Sequence, residues 1–107
     1  MSLPLDILRF EDMASGHRSL LLTEQISWER FPEYAMNILT ILDGEVQETV
    51  DGPDQRVWLV LIGGHPYYLS YEDFPLEVSI EPRDKGANMA LPSIRASLQR
   101  YKKTNPA

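Results

Sequence analysis

Residues 55–81 read QRVWLVLIGGHPYYLSYEDFPLEVSIE, and the spacing inside this stretch decides the fold. Val57 to Ile62 is apolar on both faces, the pattern of a central strand. Gly63-Gly64 is a two-residue hairpin signal, because the favoured turns need positive φ at their central positions. Pairing Ile62 with His65 sets Val60 opposite Tyr67 and Trp58 opposite Leu69. Pro66 then faces Leu61 at a non-hydrogen-bonded position, where its missing N–H costs nothing on that side. Glu72-Asp73-Phe74-Pro75 makes the next connection, and pairing Tyr71 with Leu76 puts Leu69 beside Val78 and Tyr67 beside Ile80.

The two registers agree with each other. One face collects Trp58, Val60, Ile62, Tyr67, Leu69, Tyr71, Leu76, Val78 and Ile80. A one-residue slip would turn this whole set outward, so the register is firmly specified. The other face of the last strand carries Glu77, Ser79 and Glu81, which places that strand at the outside of the sheet.

Working outward, Glu45 to Val50 makes a short, half-polar strand before the Asp51-Gly52-Pro53-Asp54 turn. Upstream of it, Trp28, Phe31, Ala35, Ile38, Leu39 and Leu42 fall on one helical stripe. Ser27 is positioned to cap this helix, Glu29 and Glu33 suit its positive end, and Pro32 fits only near its start. Gly44 ends it as a C′ glycine. Leu5 to Phe10 alternates as a first strand, Glu11 to His17 turns, and Leu20 to Thr23 is a second strand hairpinned to the first. Downstream, Arg83 to Gly86 reads as a linker. A last helix carries Leu91, Ile94, Leu98 and Tyr101, and Pro92 either opens it or kinks one that begins near Ala87.

The order ββαβββα predicts an α+β domain: a mainly antiparallel sheet with both helices packed on one face. Residues 1–103 form one domain and 104–107 a frayed tail. At 107 residues, 43% hydrophobic and 24% charged, the chain has the composition of a globular domain, not a disordered one. It has no cysteine, which excludes disulfides, thiolate metal sites and a cysteine nucleophile. No apolar run approaches the ~18–20 residues that span a bilayer, and the start lacks a signal-peptide pattern, so a cytoplasmic location with no membrane partner is expected.

The formal charge of −6 hides an asymmetry. Residues 1–82 hold four basic groups against fifteen acidic ones, whereas residues 83–107 hold six basic groups against Asp84 alone. The basic helix docks either on its own acidic body or on a partner. Nucleic acid is not expected, since the body would repel a polyanion.

Chemistry-bearing motifs are sparse. His17 lies in a polar turn and His65 follows Gly63-Gly64; neither has metal-ligand spacing, and no metal or cofactor is implied. Glu72 and Asp73 sit in a turn, where acids are ordinary. There is no GxSxG, and Gly63-Gly64-His65 is too short to cradle a phosphate. Trp58, Tyr67 and Tyr71, of the four aromatics in the hairpin, fall on the core face, which favours packing over base stacking.

One feature points outward. Val57, Leu59 and Leu61, with Tyr68 beside them, occupy the reverse face of the sheet. Either the last helix or the N-terminal hairpin covers them, or they form an exposed patch of the kind that marks an association surface.

The stretch Ser27-Trp28-Glu29-Arg30-Phe31-Pro32-Glu33-Tyr34-Ala35, followed by Trp58-Leu59-Val60 and Tyr68-Leu69-Ser70-Tyr71-Glu72-Asp73, resembles a family of small bacterial proteins known as a domain of unknown function. The resemblance spans about residues 19–82. It implies a bacterial cytosolic protein and brings no activity with it.

Three functions compete. The first is a non-enzymatic binding module, self-associating or holding a protein partner through Val57, Leu59, Leu61 and Tyr68. The second is an acidic inhibitor or immunity-type protein that masks a basic partner, steered by its negative body. The third is a small enzyme or ligand binder using His65 with Glu72, Asp73 or Tyr68.

Overall fold

The structure, a computed structural model, describes residues 3–73 and 75–105. Its elements are β1 (Arg9–Asp12), β2 (Arg18–Thr23), α1 (Phe31–Leu42), β3 (Glu45–Asp51), β4 (Gln55–Ile62), β5 (His65–Asp73), β6 (Leu76–Pro82) and α2 (Lys85–Thr104). The predicted order ββαβββα and the α+β class are therefore observed. All six strands join one antiparallel sheet in the order β1-β2-β6-β5-β4-β3.

The β4–β5 register is the expected one, with Ile62 opposite His65, Val60 opposite Tyr67 and Trp58 opposite Leu69. Gly63 and Gly64 have φ of 59° and 79°, values that L side chains rarely adopt. The β5–β6 register differs by two residues: Asp73 pairs with Leu76, and Tyr71, not Leu69, pairs with Val78. The connection is thus tighter than the expected four-residue turn; Phe74, within it, lies outside the described residues. A shift of two preserves the face, so every residue of the inferred core set stays on one side, Leu76 half-buried and the others buried.

The outer placement of β6 is corrected. It lies between β2 and β5, with Leu20 opposite Ile80 and Leu21 opposite Ser79. The polar alternation of Glu77, Ser79 and Glu81 marks an open face of the sheet and carries no information about its edge.

The first strand also differs. Leu5 and Leu8 are buried but irregular, Leu8 at φ 46°, and β1 starts only at Arg9. This segment is held by Ile7 N–H donating to the Leu22 carbonyl (3.2 Å) and by Tyr34 Oη donating to that of Pro4 (2.6 Å). Burial, with Asp6 nearby, pushes the Tyr34 phenol far up, so it stays a donor.

Ser27 does not cap α1. Its carbonyl accepts from Arg30 N–H (3.2 Å) in a turn ahead of the helix, which starts at Phe31 with Pro32 in its first turn. At the other end Asp43, not Gly44, is the left-handed residue (φ 53°). The Arg83–Gly86 linker is replaced by a capped helix start: Asp84 Oδ1 accepts from Ala87 N–H at 2.8 Å, and Pro92 sits inside α2. Helix α2 runs through Thr104, into the expected tail, whose Pro106 and Ala107 lie outside the described residues.

Both helices cover the face that carries Trp58, Val60 and Ile62. Phe31 of α1 packs edge-on against Trp58 (5.6 Å between ring centroids) and Leu91, Ile94 and Leu98 of α2 join the same cluster. Each fully buried side chain of this size contributes about 1.5–3 kcal/mol. Among the described residues, no helix lies on the other face of the sheet.

Candidate functional site: the open face of the sheet

Because cross-strand partners share a face, the strand registers build the open surface residue by residue. Leu59 faces Tyr68, which faces Glu81; Val57 faces Ser70, which faces Ser79; and Gln55 faces Glu72, which faces Glu77. On the other side of β4, Leu61, Leu59 and Val57 face Glu45, Glu48 and Val50 of β3.

All four residues singled out from the sequence therefore meet on one surface. Val57, Leu59 and Leu61 are half-buried and Tyr68 is 36% exposed. Val50, 48% exposed, extends the patch. Its membership was hidden because β3 is bulged between Val46 and Glu48, which shifts the face parity of everything after it. Arg83 stacks its guanidinium over the Tyr68 ring, 5.0 Å from the centroid.

Beside the apolar patch lies a run of carboxylates. Burial, then the neighbouring Glu72, Glu11, Glu24 and Glu81, raises the Glu77 carboxyl above its ordinary value. Burial and Glu72 do the same for Glu81. Neither Arg18–Asp12 (3.9 Å) nor Arg56–Asp51 (3.0 Å), the ion pairs seen among the described side chains, includes these glutamates. The basic helix does not reach them either. Arg95 Nε and Lys102 Nζ donate to the carbonyls of Leu8 (2.7 Å) and Leu5 (3.0 Å), on the helix side of the sheet.

The His65 set does not assemble. His65 opens β5 while Glu72 and Asp73 close it, seven or eight residues away, about 23–26 Å along an extended strand. Tyr68, an odd number of residues on, points to the opposite face. His65 instead lies against the start of α2, where a Cβ on Gly86 would stand 3.2 Å from its Nδ1. The His17 carbonyl accepts from Met13 N–H at 2.8 Å, which closes the β1–β2 turn. Among the described residues no cluster of three metal-ligating side chains occurs. No helix among them is long and apolar enough to cross a membrane.

Trp58, Tyr67 and Tyr71 are core residues, as the face assignment required. Tyr67 donates from its hydroxyl to the Ala87 carbonyl (2.8 Å), and Tyr71 to Asp73 Oδ1 (2.6 Å).

Fold and surface together define a small two-layer α+β domain, one side of its sheet closed by helices and the other open, apolar and acidic. The chain belongs to the family described as Protein of unknown function (DUF3630), whose model matches residues 8–96. No curated protein and no solved structure matches the chain.

Proposed function

We propose that this protein is a non-enzymatic binding module whose open sheet face holds a basic protein partner. The single observation that carries the reading is the adjacency on one helix-free face of the Val57–Leu59–Tyr68 patch and Glu72, Glu77 and Glu81, which neither ion pair includes. An apolar centre bordered mainly by carboxylates, with Arg83 over Tyr68 as the cation beside it, suits a partner with an exposed apolar anchor and surrounding lysines or arginines. The charge supplies steering and discrimination, and the patch supplies most of the affinity. By the family resemblance, the setting is the bacterial cytoplasm.

Pairing with a second copy fits this surface less well. A face-to-face twofold dimer centred on Leu59 with its axis across the strands sets β6 over β6 and β3 over β3, which brings Glu81 onto Glu81 and Glu48 onto Glu48.

The test is a pull-down from host lysate with the wild type, Leu59→Asp and a Glu77→Lys/Glu81→Lys variant. A basic protein held by the wild type, released by salt and missed by both variants is the expected result. A chain that retains no salt-released basic protein, or one that both variants hold equally well, ends the proposal.

A further inference from the structure

A second surface lies on the helix side of the molecule, apart from the open sheet face. A groove of about 480 Å³ runs between the N-terminal segment and α2, lined by Ile7, Leu8, Arg95, Gln99, Lys102 and Lys103. The four α2 positions fall at i, i+4, i+7 and i+8, so they share one helical face. Three of the six residues are cations and none is acidic.

Two of these cations are already fixed in place. Arg95 is held by Nε on the Leu8 carbonyl, with its guanidinium 5.3 Å from the Phe10 ring centroid. Lys102 is held on the Leu5 carbonyl. A carbonyl dipole orients a cation without cancelling its charge, and neither ion pair seen among the described side chains involves α2. Lys103 is exposed at the rim. Leu8 is buried and kept at φ 46°, a conformation a leucine retains only where its surroundings over-determine it. Here they include the Arg95 bond that shapes the groove wall.

We propose that this groove binds a small organic anion. Its carboxylate or phosphate head sits among Arg95, Lys102 and Lys103, and its short apolar tail lies on Ile7 and Leu8. The volume is within the ~300–1,000 Å³ typical of small-molecule sites. The outer nitrogens of Arg95, which make no bond to the described residues, offer the planar fork that matches either head group.

The test titrates the full-length ¹⁵N-labelled chain separately with octanoate and with inorganic phosphate, following the amides of Ile7, Leu8 and Gln99. Saturable octanoate shifts confined to these amides are expected. Lys103→Glu and Gln99→Glu, both at exposed positions, are each expected to weaken them by roughly tenfold with an unchanged circular dichroism spectrum. If phosphate moves the same amides, the head group alone suffices and phosphorylated ligands are included; if only octanoate does, the ligand is a carboxylate with a tail. Failure of both probes to give saturable shifts there, or wild-type octanoate binding by both variants, overturns the proposal.

Discussion

Gly44 was recognisable as the residue that ends α1, yet its role is not the one a C′ glycine usually has. Asp43 takes the left-handed turn, and Gly44 is required by contact. A Cβ there would stand 2.8 Å from the Leu61 carbonyl oxygen and 2.9 Å from Leu39 Cδ2. Backbone cannot give way cheaply, so Gly44→Ala is expected to cost about 1–3 kcal/mol, read as a lower urea midpoint with an unchanged m-value. Gly86 is the contrasting case. Its added Cβ would meet the His65 ring at 3.2 Å and Asp84 Oδ1 at an ordinary 3.6 Å, and alanine gains up to ~1 kcal/mol in a helix. Gly86→Ala is therefore expected to stay within about 1 kcal/mol of the wild type in the same measurement. A sequence shows that a glycine sits at a helix end; it does not show that β4 comes back to touch it.

Strand β6 shows the same divide between near and distant information. Its pairing with β5 was legible because a short connection and an apolar alternation constrain it jointly, and the two-residue error left the faces intact. Its pairing with β2 was not legible, because 55 residues separate Thr23 from Val78 and no turn chemistry links them. The glutamates of β6 also carry a pH signature. Glu77 and Glu81 have carboxyls raised above 4.5, first by burial and then by neighbouring glutamates. A folded-state value above the unfolded one means the proton is held more tightly in the folded chain. Their contribution is fully present below pH 4.5 and is lost as pH rises through the raised values. Glu77→Gln removes one of these two titrating groups. Its urea midpoint is expected to gain on the wild type's as pH rises from acid to neutral; a constant difference across that range would show that Glu77 titrates alike in both states.

At the scale of the whole molecule, the open face poses a problem of its own: an apolar patch of Val50, Val57, Leu59 and Tyr68 on the side of the sheet that neither helix covers. Such a patch invites self-association. The carboxylates on both flanks are what would oppose it, since stacking two copies desolvates like charges against each other. The patch itself was readable from the sequence, because alternation assigns its residues to a face. Its acidic border was readable on the same ground, since Glu77 and Glu81 alternate onto that face of the strand beside β5; its extension to Val50 was not, because the bulge in β3 shifts the parity. Sedimentation velocity at neutral pH and low salt is expected to give three results. The wild type runs as a monomer. The Glu77→Gln/Glu81→Gln variant, with two flanking charges gone, shows concentration-dependent dimers. Adding Leu59→Asp to that variant returns it to the monomer, because the patch is where the copies meet. A doubly neutralised variant that stays monomeric at high concentration would show that something other than β6 keeps the patch apart. A wild-type dimer dispersed by Leu59→Asp would instead make the second copy the occupant of this face.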